Sequence, residues 1–197
     1  ARFVVGIDLG TTHTAIAAID LGAVEPGSTA EVLAVPQLIA AGSLEARQLL
    51  PSFLYFAHES EAALALPWDA SRRFAVGEHA RTRAAESPAR VVSSAKSWLC
   101  HDGVERRGSI LPQGAPDDIE KISPVEVSFR YLDHLSEAWT AEHGFPLGEQ
   151  EIILTVPASF DAAARDLTVE AAYAAGLGIS TLLAVVMALG GCGTSPT

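Results

Sequence analysis

The chemistry in this sequence concentrates in its first fourteen residues. Val5-Gly6-Ile7-Asp8-Leu9-Gly10-Thr11-Thr12-His13-Thr14 sets a carboxylate near the end of an apolar run and follows it with a Gly-Thr-Thr turn. Successive backbone N–H groups in such a turn point outward and can bond phosphate oxygens, and Gly10 has no side chain to block their approach. The Thr11 and Thr12 hydroxyls can add bonds. Asp8 is then placed to hold Mg²⁺ through the ion's water shell, because Mg²⁺ gives up water reluctantly. An ordinary hairpin in which Asp8 caps local amides uses the same residues, so the motif alone leaves both readings open. His13 could touch a phosphate, but it reads better as a half-buried strand histidine. Trp98, Trp139 and Phe129 read as core residues rather than ligand platforms.

These residues need elements to position them. Residues 2–9 and 13–20 are rich in β-branched and apolar side chains and predict two strands joined by the turn at 10–12. A third strand over Glu31–Val35 completes an antiparallel meander, and Phe53–Phe56 forms another strand after Pro51-Ser52. The stretch 59–70 has no clean period. Helices are predicted over Gly77–Arg83 and Pro88–Leu99, and His101–Ile122 reads as loop with a short strand at Ser109–Leu111. Ser123-Pro124-Val125-Glu126 is a capping box with Pro at the first helical position. Val125, Phe129, Leu132, Leu135 and Trp139 then give an apolar helical face ending near Gly144. The strand Glu151–Val156 leads through Pro157-Ala158-Ser159-Phe160 into a helix over Ala162–Ala175, capped by Asp161 and closed by Gly176. A strand–loop–helix unit of this kind makes the fold class α/β.

Composition narrows the functions. The 197 residues are 49% hydrophobic and 19% charged, with a mean hydropathy of +0.25, which excludes a disordered tail. A net charge of -11 repels phosphate backbones and anionic lipid, so no nucleic acid or membrane partner is expected. A nucleotide can still bind where amides and one metal ion act locally. Cys100 and Cys192 have neither a disulfide framework nor a metal-ligand spacing, and read as reduced thiols of a cytoplasmic protein. The chain opens on a strand-like segment rather than a signal peptide. The apolar run Ile179–Leu189 is too short to span a bilayer. Leu189-Gly190-Gly191-Cys192 is only superficially like a lipoprotein box and lies at the wrong end of the chain.

VVGIDLGTTHTAIA resembles the first phosphate-binding loop of the superfamily that joins actin, sugar kinases and heat-shock chaperone ATPases. A second segment is more specific. Ile153–Phe160, with Arg165, Ala171-Ala172 and Ala175-Gly176-Leu177, is similar to the V-P-A-x-F…R…A-G-L stretch of DnaK-type heat-shock protein 70 chaperones. Ala95-Lys96 before Trp98-Leu99 resembles the D-A-K-R-L-I-G segment of that family, and Pro51–Phe56 resembles its P-S-x-V-x-F strand. The landmarks come in family order over residues 2–178. The resemblance implies an actin-like (ribonuclease H-like) α/β fold that binds ATP or ADP with Mg²⁺. It implies phosphate contacts from Gly10, Thr11 and Thr12, and Asp8 as the Mg²⁺ residue. Lys96 becomes a catalytic lysine near the γ-phosphate, and Pro157 and Arg165 a switch that couples nucleotide state to a second domain. Unfolded polypeptides and co-chaperones are the implied partners of such a protein. The bland alternatives are an exposed helix lysine at 96, a strand terminator at 157 and a surface helix residue at 165.

The departures from the family lie at the end. After Gly178 the family continues with a strand and an N/E-E-P-x-A-A-x-A helix, whereas this chain reads ISTLLAVVMALGGCGTSPT, with no acidic residue after Glu170. The D-x-G-G-G-T loop, the adenosine lobe, the interdomain linker and the peptide-binding domain have no counterpart. The expectation is therefore a first lobe over 1–178 and a divergent, truncated or frame-shifted tail over 179–197, inactive as an ATPase by itself. Two other functions compete: a sugar or metabolite kinase with the same phosphate loop, and a non-catalytic fragment acting as an interaction module.

Overall fold

The computed structural model describes residues 1–101 and 103–185. In chain order the elements are β1 (Phe3–Leu9), β2 (His13–Asp20), β3 (Glu31–Val32), β4 (Val35–Ala40), β5 (Ser43–Arg47), β6 (Leu50–Pro51), β7 (Phe53–Phe56) and β8 (Phe74–Val76). Then follow α1 (Glu78–Glu86), β9 (Val91–Ser93), α2 (Ala95–Leu99), α3 (Pro124–His143), β10 (Glu151–Pro157), α4 (Ala162–Ala174) and β11 (Ile179–Val185). The architecture is mixed α/β with several sheets.

The central sheet has the order β11-β10-β1-β2-β3, with β6 also paired to β2. β1 is antiparallel to β2 and parallel to β10, and β10 is parallel to β11. Strand period explains the burial. Val5, Ile7 and Leu9 of β1 and Ile152, Leu154 and Val156 of β10 point into one core with Leu132, Leu135 and Trp139 of α3 and Ala164, Leu167 and Ala171 of α4. Gln150 Oε1 accepts from the backbone N–H groups of Arg2 and Phe3, at 2.9 and 3.0 Å, and so pins the start of β1 to that of β10.

The caps form as the sequence predicts. Ser123 Oγ accepts from Glu126 N at the start of α3, and Gly144 closes that helix in the left-handed region at φ 77°. Asp161 accepts from Ala164 N at 2.6 Å to open α4. Arg106 also binds Asp161 through both carboxylate oxygens, and Arg107 binds Glu170 in the same way, so the 101–122 loop is stapled along α4. The Arg106 bonds, then the Ala164 amide, hold the Asp161 carboxyl down to about 2.

Several expectations need correction. The β1-β2-β3 meander is present, but β3 is a two-residue exposed strand, and Val35 instead opens the β4–β5 hairpin, which the sequence reading missed. Residues 88–99 are not one helix. They form a 3₁₀ turn at Pro88–Arg90, then β9, then a left-handed Ser94 (φ 55°), then α2. Val91 and Val92 prefer extended backbone, and antiparallel pairing with β7 satisfies it. The predicted strand at 109–111 reduces to one bridge between Leu111 and Ile122. The aperiodic 59–70 stretch buries Leu64 and Leu66 with Tyr55. It is tied to α3 by Trp68 Nε1, which donates to Glu137, and by Arg72, which bonds both Glu137 oxygens and Asp69. Residues 179–185 extend the central sheet as β11, while the end of the apolar run, the Gly190-Gly191-Cys192 sequence and the rest of 186–197 lie outside the described residues. Among the described residues no helix is long and apolar enough to cross a membrane.

Candidate functional site

Parallel pairing brings the C-terminal ends of β1 and β10 side by side, and the register sets Asp8 opposite Thr155. Thr155 Oγ1 donates to Asp8 Oδ1 at 2.7 Å. No hydrogen bond to Asp8 Oδ2 is found among the described residues.

The 10–12 turn leaves β1 immediately after Leu9. Gly10 is not in the left-handed region; it is required by close approach, since a Cβ there would sit 2.0 Å from the His13 carbonyl oxygen. The backbone freedom expected of this glycine is thus a matter of space rather than of φ. Ser52, which is buried, clamps the turn. Its Oγ donates to the Gly10 carbonyl at 2.8 Å and lies 3.2 Å from Thr14 Oγ1, while its N–H donates to the Thr12 carbonyl at 2.9 Å. Thr11 and Thr12 are left exposed on the clamped turn. His13 is half-buried on β2 opposite Pro51, as expected.

Lys96 comes from α2 and is only 6% exposed, so the reading of it as an exposed helix lysine fails. Its Nζ lies 5.6 Å from the centroid of the Phe160 ring, which the β10–α4 loop folds over it. Burial lowers its pKa, and the negative charges of Asp8 and, more weakly, Cys100 work against that shift. The ammonium makes no hydrogen bond or ion pair among the described residues. Asp8, just before the turn, is thus near enough for its charge to act on Lys96.

Pro157 and Arg165 form a second group one loop away. Pro157 ends β10 opposite Val185. Arg165, in the first turn of α4, is half-buried and sends Nη2 back to the Ala158 carbonyl at 3.4 Å, next to Pro157. Its Nε is buried without a hydrogen-bond partner among the described residues. Trp139 is core, stacked on His143 at 3.9 Å, and Trp98 and Phe129 are half-buried against the same core.

Sequence reading assigned no role to Thr155, Ser52 or Phe160. Thr155 does carry a signal, as the one polar side chain inside an apolar strand, but its partner is visible only once the strands pair. The oxygens present suit a hard cation: one Asp8 carboxylate oxygen without a hydrogen bond among the described residues, and the Thr11 and Thr12 hydroxyls close to it in sequence. No cluster of three or more His, Cys, Asp or Glu that could hold a metal occurs among the described residues. An ion at Asp8 would thus take most of its ligands from water and a bound polyphosphate. Oxygen donors, amides and a buried ammonium together can bind a polyphosphate and counter charge that develops on it.

No family model matches the chain. It is similar to "Chaperone protein HscA" of Enterobacter sp. (strain 638), at 32% identity over 194 residues. It is also similar to a "Chaperone protein HscA homolog" of Pseudomonas aeruginosa (strain LESB58), at 36% over 196 residues, and to one of Photobacterium profundum, at 30% over 194. Each similarity covers 92% of this chain and 27% of the relative, so the chain spans about a quarter of the length of the relatives it matches. The relatives imply the actin-like ATPase fold expected from the motifs, and the chain belongs to the heat-shock protein 70 type of chaperones.

Proposed function

We propose that residues 1–178 are the first lobe of an actin-like nucleotide-binding domain, and that the lobe binds ATP or ADP with Mg²⁺ in a cytoplasmic chaperone. The observation that carries this reading is the Ser52-clamped Gly10–Thr12 turn just after Asp8 at the paired ends of β1 and β10, with the charge of Asp8 acting on a buried Lys96 that has no partner among the described residues. The turn amides and the Thr11 and Thr12 hydroxyls bind phosphate oxygens. Asp8 orients the water shell of Mg²⁺, the ion that neutralises the phosphates when nucleotide is bound. Lys96 supplies positive charge where negative charge grows as the terminal phosphoryl group is cleaved. The Phe160 ring beside the Lys96 ammonium lowers the local dielectric, which strengthens the action of that charge.

Pro157 and Arg165 relay nucleotide state away from the site, through the Arg165 contact with the loop after Pro157. In the whole protein this coupling drives cycles of binding and release of unfolded polypeptide, with co-chaperones. The chaperone names of the relatives support this part of the reading, and no observation favours a metabolite kinase. One lobe gives only part of the nucleotide's contacts, so binding is weak and turnover by this chain is poor.

Titration calorimetry with ADP tests the reading. The expected result is weak binding that strengthens with Mg²⁺, and loses that Mg²⁺ effect in Asp8→Asn while the melting curve stays cooperative. Binding indifferent to both Mg²⁺ and Asp8→Asn would contradict it.

A further inference from the structure

Two buried hydroxyls behind the 10–12 turn form a chain with one direction. A carbonyl can only accept, so Ser52 gives its single hydroxyl proton to the Gly10 carbonyl, at 2.8 Å. The 3.2 Å bond between Thr14 Oγ1 and Ser52 Oγ is then donated by Thr14. Both residues are almost wholly buried, Thr14 at 0% and Ser52 at 2% exposed. Ser52 is also fixed by its neighbours in the chain: Pro51 pairs with His13 of β2, and Phe53 pairs with Ser93 of β9.

The hydroxyl chain decides which way one peptide faces. In a planar trans peptide the C=O and the N–H point in opposite directions. The Gly10–Thr11 peptide is trans and its carbonyl is drawn inward to Ser52, so the Thr11 N–H points away from the buried side of the turn. No hydrogen bond from that N–H is found among the described residues. Turned the other way, the same peptide would show its carbonyl oxygen to the phosphates, which repel it. Gly10 has no Cβ and does little by itself to resist that rotation. We propose that Ser52, oriented by Thr14, is a positioning residue that holds the Thr11 N–H toward bound phosphate. This role rests on the 10–12 turn being the phosphate site of the proposed function.

The test is a titration of the 197-residue chain with magnesium pyrophosphate, followed by calorimetry and by the amide proton resonances of the turn. In the parent the Thr11 amide proton should move downfield as it donates to a phosphate oxygen. Ser52→Ala frees the Gly10–Thr11 peptide but keeps the backbone bond from residue 52 to the Thr12 carbonyl. It should abolish most of the Thr11 shift, leave the Thr12 shift in place, and weaken binding about fivefold, the loss of one neutral hydrogen bond. Thr14→Val removes only the donor that orients Ser52 and should weaken binding about twofold, with no further loss when combined with Ser52→Ala. Thr14→Ser restores that donor and should restore both affinity and shift. If Ser52→Ala does not melt cooperatively, Thr14→Val carries the test through a reduced Thr11 shift that Thr14→Ser brings back. A parent that binds pyrophosphate, with the Thr11 shift and the affinity unchanged in Ser52→Ala, overturns the positioning role and leaves the phosphate site standing. A parent in which the Thr12 amide moves and the Thr11 amide does not has the same meaning. A parent that binds no pyrophosphate, or binds it without moving either amide, removes the site and the positioning role together.

Discussion

A lysine that is 6% exposed, with its ammonium unpaired among the described residues, keeps its charge against the pull of burial. Removing such a group relieves a desolvation penalty rather than breaking a bond. Lys96→Met should therefore raise the unfolding free energy by about 1 kcal/mol, and at the same time weaken ATP binding by about tenfold, the size of one charge-assisted contact. The pH dependence has a definite sign. With the folded pKa below 10.5, the unfolded chain holds more protons just under that pH, so this lysine makes stability rise as pH climbs toward 10.5. Urea titrations at neutral and alkaline pH should find that slope reduced in Lys96→Met. A destabilised variant with unchanged ATP affinity would make Lys96 structural. At this scale, legibility followed contiguity. Asp8, Gly10, Thr11 and Thr12 stand in one turn and declare themselves together. Thr155, 147 residues from Asp8, and Ser52, 42 residues from Gly10, acquire their roles only through β1–β10 and β2–β6 pairing.

Among the elements, α3 carries the clearest titration. His134 lies on its core face, 1% exposed, with Nε2 donating to the Pro36 carbonyl at 2.9 Å and Nδ1 buried without a partner among the described residues. Burial pushes its pKa down to about 4; the Pro36 bond opposes that shift, and the nearby Arg72 charge adds to it. A histidine charged more easily when unfolded withdraws stability as pH falls from about 6.5 toward 4. The loss should reach about 2 kcal/mol between pH 7.5 and pH 5, by the linkage relation. His134→Gln keeps a donor for Pro36 and should flatten this part of the stability curve, as read by urea unfolding at the two pH values. An equally steep fall in the variant would assign it to other groups. The helix itself was legible because its capping box, apolar face and closing glycine are all local signals. The 88–99 segment misleads because its local composition permits a helix, while β7 offers Val91 and Val92 a better extended partner. The β4–β5 hairpin turns at Gly42, in the left-handed region at φ 71°, and its strands lack the alternation that marks a half-buried strand: β5 is exposed almost throughout.

At the scale of the molecule, the net charge of -11 and the far edge of the central sheet oppose each other. β11 is the terminal strand of that sheet among the described residues, and from Ala171 to Val185 no side chain is charged. Leu183 is 50% exposed on it. Protein edges are ordinarily guarded by lysine, proline, a bulge or brevity. This one has seven residues, with an irregular register only at its start around Ser180, and over Thr181–Val185 neither a charge nor a proline to prevent a second copy from pairing with it. Two such edges related by a twofold axis can exchange backbone hydrogen bonds and bring their leucines together. Acidic repulsion acts over roughly 30 Å at 0.01 M salt and about 8 Å at physiological ionic strength. The chain should therefore elute larger than a monomer at physiological salt and shift toward monomer as salt is lowered. Leu183→Lys sets a cation on the edge and should restore the monomer at every salt concentration, with the melting temperature nearly unchanged. Light scattering after size exclusion decides the matter: a parent that is monomeric throughout, or a lysine variant that associates as strongly as the parent, would mean that this edge does not drive association.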